Sequence, residues 1–207
     1  SPAEWAGRLT CEPDLAGAFV HAAVRETFEE CGVLLAGDAA GGGTGLDPAV
    51  LARERAELVA RRRTMDRLLA DAGLVLRSDL LQPWARWVTP EESPRRYDTV
   101  FLVARVPEGQ DADAHTTEAV EAAWWHPAEA LERWRAGEME LMAPTFRTLQ
   151  QLAEHPDAAA VLAAAADRVV EPVVPRVRRD GDQVVIVLPS DPGFEVAAGH
   201  LSPRDVR

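Results

Sequence analysis

"HAAVRETFEECGVLL", residues 21–35, carries Glu26, Glu29 and Glu30 within five positions and closes on Cys31-Gly32-Val33. On a helix, positions i, i+3 and i+4 share a face, so the three carboxylates point together while Val24, Phe28 and Cys31 lean toward a core. Like charges at that spacing cost about 0.2–0.5 kcal/mol per pair. Arg25 reaches Glu29 at i+4, which leaves two carboxylates in want of a positive partner. A hard divalent cation that takes oxygen ligands, Mg2+ or Mn2+, answers that need, and it would keep several waters and bridge substrate phosphates. Many glutamate-rich helices are only solvated faces, so the order of the residues has to decide.

Outward from this stretch, residues 13–31 read as one helix. Pro13 and Asp14 suit its first turn, and Val20, Val24, Phe28 and Cys31 recur at spacings of four, four and three. Gly32 fits the position just past its end. The run "AGDAAGGGTGLD", 36–47, is a flexible loop by composition. Asp47-Pro48 then offers a cap and a first-turn proline for one long Arg/Glu-rich helix ending near Gly73, expected to be a solvated cover. Beyond it, 85–90, 97–106 and 118–126 are rich in β-branched and aromatic residues and read as strands. Helices follow after Pro127, closed by Gly137, and after Pro144. The alanine-rich stretch 157–167 is a simple helix, and Asp180-Gly181 is a turn signal between two β runs, "VVPRV" and "DQVVIVLP".

Composition narrows the chemistry. The 207 residues are 47% hydrophobic and 27% charged, enough for one core plus an appendage. Their formal charge of −12 argues against binding nucleic acid through its phosphate backbone, which needs a basic face. All 22 basic residues are arginines, so a P-loop lysine, a Schiff-base lysine and a lysine base are excluded. Cys11 and Cys31 are too few for a disulfide framework or a cysteine-built zinc site, and read as reduced thiols of a cytoplasmic protein. No apolar run approaches the ~20 residues that a membrane helix needs, and residues 1–4 do not open a signal peptide.

The run Arg25-Glu26-x-x-Glu29-Glu30-x-Gly32-Val33 matches the second half of the Nudix box, Arg-Glu-U-x-Glu-Glu-x-Gly-U with U aliphatic. At usage near ~6% per residue type, its five fixed positions coincide by chance in on the order of one chain in several thousand. The chain therefore resembles the Nudix hydrolases, which cleave a pyrophosphate linkage in a nucleoside diphosphate joined to another group. "RRYDTVFLVARV" and "TEAVEAAWWHPAEAL" are similar to the later core of that family, so the resemblance covers about residues 13–155. The interruption between box and strands resembles the branch that includes the peroxisomal coenzyme A diphosphatases and their bacterial relatives. Three positions depart from the pattern. Cys11 and Gly17 stand where the first half of the box places Gly and Glu, and Thr27 replaces an aliphatic residue. The expectation is that the opening strands and the first half of the box lie upstream of Ser1.

The resemblance implies an α/β/α sandwich around a mixed sheet, with a helical insertion about 47–73 within a domain over 1–155, and a C-terminal helix, hairpin and tail over 156–207. It implies Glu29 and Glu30 as principal ligands of Mg2+ or Mn2+, Glu26 as a third ligand or the base acting on water, and Arg25 as the group that orients a carboxylate. Glu118, and less so Glu121, stand where the family often places a further ligand. From the residues themselves, Arg95 and Arg96 can clamp phosphate or merely charge a sheet edge. Trp84 and Trp87 can stack a base or belong to the core, and of Trp124 and Trp125 one is expected in the core. The five histidines show no ligand spacing. The substrate is then a small nucleotide-type molecule, and the exposed hairpin edge suits a homodimer. Against this stands a catalytically silent Nudix-like module that binds a nucleotide or a partner, and, behind it, an acidic assembly protein.

Overall fold

A computed structural model of the chain describes residues 1–90, 93, 95–113, 123–180, 183–189 and 191. In chain order it runs α1 (Pro2–Leu9), α2 (Pro13–Cys31), β1 (Ala36–Gly37), α3 (Pro48–Val59), α4 (Met65–Ala72), β2 (Val75–Leu76), β3 (Leu81–Val88) and β4 (Asp98–Ala104). Then come α5 (Pro127–Arg135), α6 (Ala143–Leu152), α7 (Ala158–Ala165), β5 (Pro172–Val173), β6 (Arg176–Asp180) and β7 (Gln183–Val187). The fold is α/β. Its main sheet has the order β4-β3-β5, with β5 parallel to β3 at Arg86↔Pro172 and Trp87↔Val173. β1 and β2 form a small antiparallel pair, and β6 and β7 form the antiparallel hairpin with Arg176 opposite Val187.

By contact the described chain groups into two compact units. One comprises Ser1–Ala6, Cys11–Gln82 and Val103–Trp125; the other comprises Gly7–Thr10, Pro83–Leu102 and His126–Arg207. In the first, α2 buries Ala16 together with Val20, Val24 and Phe28 of the expected stripe, whose last member, Cys31, is only half-buried, while α4 adds Met65, Leu68 and Leu69. In the second, Trp84, Trp87, Ala130, Leu131, Ala165 and Val170 are buried. There Arg86 is a buried cation held on every side. It pairs bidentately with Asp98 at 2.9 and 2.7 Å and donates to the carbonyls of Leu9 and Thr10, which meets the cost of taking its charge out of water.

Four expectations need correction. The long helix over 48–73 is two helices, because Arg61 enters the left-handed region (φ 56°) and Thr64 starts a new helix by accepting from the backbone N–H of Arg67. The strand expected over 118–126 is absent from its described end: residues 123–126 belong to no strand, and 118–122 lie outside the described residues. Neither Trp124 nor Trp125 is a core residue; Trp124 is 77% exposed and Trp125 half-buried. Finally, α1, for which no element was expected, is a helix that buries Trp5 and Leu9.

Candidate active site

The acidic turn sits at the carboxyl end of α2, where Gly32 stops the helix at φ 78° and returns its N–H to the Phe28 carbonyl at 3.1 Å. A side chain here would be strained by the backbone and would also place Cβ 3.0 Å from the Arg55 guanidinium. Both constraints select glycine.

Arg25 grips Glu29 with one nitrogen, at 3.0 and 2.8 Å to the two carboxylate oxygens, and its other nitrogen bonds Glu26. Glu29 is the more enclosed of the pair, with 19% of its side chain exposed against 48% for Glu26. Among the described residues no three His, Cys, Asp or Glu side chains converge as a cation would require. The donor chemistry nevertheless fits a hard divalent ion, since all three groups are carboxylates on one helix face and already attract positive charge. Glu26 and Glu29 have to turn from Arg25 to meet such an ion.

The residue that sequence reading missed is Arg55. The α3 helix was expected to be a solvated cover, yet its Arg55 is buried and closes over the end of α2. Its Nε donates to the Glu29 carbonyl at 3.0 Å, one terminal nitrogen to the Glu30 carbonyl at 2.8 Å, and the other to Asp113 at 2.6 Å. The Asp113 N–H in turn bonds the Cys31 carbonyl. One guanidinium thus satisfies the orphan carbonyls of the two residues whose side chains form the acidic face, and it lies favourably at the negative end of the helix dipole. The signal in the sequence was the arginine-rich composition of 53–63, which does not say which arginine turns inward. Beside this contact lies a cavity of about 820 Å3 whose walls include Phe28, Leu51, Val59, Arg55 and Asp113.

The other candidates divide. Trp84, offered as a base-stacking residue, is corrected to a core residue: it is 2% exposed, donates from Nε1 to Gln151 at 3.1 Å, and meets His155 edge-on. Arg95 and Arg96 are exposed just before β4, and Arg96 donates to the Thr89 carbonyl. Glu118 and Glu121, like His115 and His200, lie outside the described residues. His21 pairs with Asp66 at 2.8 Å and His126 caps α5, so neither is drawn into the acidic turn.

An α/β fold whose second helix carries a three-glutamate face ahead of a left-handed glycine defines the class, a Nudix-type domain. The family model described as the NUDT19 Nudix domain matches residues 10–152, well over half the chain, and the chain belongs to this family. Among curated relatives, the human acyl-coenzyme A diphosphatase NUDT19 is 31% identical over 187 residues, 84% of this chain and 50% of that protein. Its chicken counterpart is 34% identical over 154 residues, covering 65% and 40% of the two chains. Putative nudix hydrolase 7 of Caenorhabditis elegans is 30% identical over 143 residues, covering 69% and 46%. The chain spans half or less of the length of these relatives. The solved NUDIX hydrolase of Alicyclobacillus acidocaldarius superimposes with a TM-score of 0.60 at 27% identity, covering 83% of this chain and 78% of that one. No helix among the described residues is long and apolar enough to cross a membrane.

Proposed function

We propose that the chain is a metal-dependent hydrolase that cleaves the pyrophosphate bond of a nucleoside diphosphate linked to another group, with coenzyme A or a derivative as the substrate class. The observation that carries this reading is the Glu26, Glu29 and Glu30 face, bridged by Arg25 and anchored from behind by Arg55. The names of the human and chicken relatives support the coenzyme A class. A bound Mg2+ or Mn2+ supplies neutralisation of the diphosphate and a more acidic water. Glu29 and Glu30 would hold that ion, and Glu26 would complete the ligand set or accept the proton of the attacking water. Arg25 orients Glu29 and Glu26. Glu118 would be a further ligand, and Arg95 and Arg96 would bind substrate phosphate. Cys11 and Cys31, which form no disulfide, suit a cytoplasmic setting, and the β6–β7 hairpin offers an edge for a homodimer.

The test is release of the two cleavage products from coenzyme A, its acyl derivatives and ADP-ribose, with Mg2+, Mn2+ or EDTA. Turnover is expected only with metal, and Glu30→Gln should lower it by about 10²-fold or more while the melting temperature stays unchanged. Full activity of that variant would remove the acidic turn from the mechanism. A second reading, a silent binding module, is favoured by the hold of Arg25 on two of the three carboxylates; tight metal-independent nucleotide binding without product would select it.

A further inference from the structure

The second compact unit contains a cavity of about 310 Å3 lined by residues of β3, α6, the segment after α7 and the chain just past the end of β7, and several hydrogen-bond donors stand among its apolar walls. Trp87 of β3 lines it at 6% exposure, and its indole Nε1–H has no hydrogen-bond partner among the described residues. Thr148 of α6 also lines it, and its buried hydroxyl is likewise unpartnered. Arg168 completes the group. Its guanidinium lies 4.3 Å from the centre of the Trp84 ring, and burial lowers its pKa; it makes no ion pair among the described residues, and Glu171 is the one carboxylate in the described wall. The acceptors in the same wall are engaged elsewhere. Gln151 accepts from Trp84, Glu171 accepts from the Thr10 hydroxyl, and Arg86 has its own carboxylate in Asp98.

Leaving buried donors unmet costs free energy, and a desolvated guanidinium without a counter-charge costs more. An acceptor of negative charge removes both costs at once. A carboxylate presents two oxygens in a plane, whereas three donors from three separate elements suit the three terminal oxygens of a tetrahedral group. The volume equals roughly ten waters at about 30 Å3 each, which leaves room for an organic part of pentose size. We propose that this cavity binds the phosphate of a small phosphomonoester, with Arg168, Trp87 and Thr148 as the donors. The cavity belongs to the second unit and the acidic face of α2 to the first, and the proposal does not depend on the chemistry proposed for that face.

Calorimetric titration of the full chain in EDTA, which silences any metal-borne phosphate affinity, tests this with ribose 5-phosphate, inorganic phosphate and acetate as probes. Both phosphates are expected to bind, with acetate about tenfold weaker or worse. Trp87→Phe, Thr148→Val and Arg168→Gln should each weaken ribose 5-phosphate about fivefold or more, since each removes one donor to a charged oxygen. Trp87→Phe should leave the melting temperature unchanged or raise it, because an unmet donor leaves the core. Glu30→Gln should not alter this binding. Absence of heat from both phosphates at about 10 mM, equal affinity for acetate, or unchanged affinity in Arg168→Gln and Thr148→Val would overturn the proposal.

Discussion

Arg55 and Gly32 show how little of a candidate active site lies in its acidic side chains. Arg55 donates to the carbonyls of Glu29 and Glu30, so its loss removes one donor from each of two helix-end acceptors and from the Asp113 carboxylate. Arg55→Met should cost about 2–3 kcal/mol, the range for hydrogen bonds to a charged group, read as a fall in the urea midpoint at unchanged slope. Arg55→Lys should recover little, because a point ammonium cannot span three acceptors in a fork. Gly32→Ala should cost about 1–2 kcal/mol from the left-handed backbone alone, before the crowding of its Cβ against Arg55 is counted. Asp38 behaves differently. Backbone N–H groups of Gly42 and then Ala40 hold its carboxyl below the usual carboxylate range. Its folded pKa is depressed, so its contribution to the 38–42 turn is complete at neutral pH and is lost as pH falls through that depressed value. Carbon NMR should show the Asp38 carboxyl titrating below an ordinary aspartate.

At the scale of elements, local signals were legible wherever chain chemistry and capping agreed. α2 begins and ends as its proline and glycine predict, α5 and α6 open at their prolines, and β6 and β7 pair with Asp180 opposite Gln183, while Gly181 of the Asp-Gly signal lies outside the described residues. The α3–α4 pair was not legible, since an unbroken Arg/Glu pattern hides the cap at Thr64. Thr64→Ala should cost about 1 kcal/mol in the urea midpoint and leave turnover unaffected, as Thr64 caps α4 and touches nothing in the acidic turn. Trp84 and Trp87 were ambiguous because alternation along a strand says that both faces matter without saying what covers them. Both tryptophans of β3 proved to be buried.

For the whole molecule, the formal charge of −12 opposes the approach of a polyanion such as the proposed substrate. Repulsion between like-charged partners weakens as salt shortens the screening length from about 30 Å at 0.01 M to about 8 Å at 0.15 M. With saturating metal, kcat/KM for a coenzyme A-type diphosphate should therefore rise across that range rather than fall, as it would for a basic enzyme. A decrease would show that a local positive field overrides the net charge.

The sequence by itself determined the helix that carries Glu26, Glu29 and Glu30, the glycine that ends it, the family, and the exclusion of lysine chemistry. These follow from spacing along one chain segment, where a period of 3.6 residues and a left-handed turn are local properties. Only the tertiary structure decided that Arg55 anchors the acidic turn, that Arg25 holds two of its carboxylates, that Trp84 is core, and that Arg168 lies beside two unmet donors. Each of these depends on which distant side chain occupies a given direction, and one sequence carries no record of that choice: any of several arginines in 53–63 could have turned inward, and packing selected one.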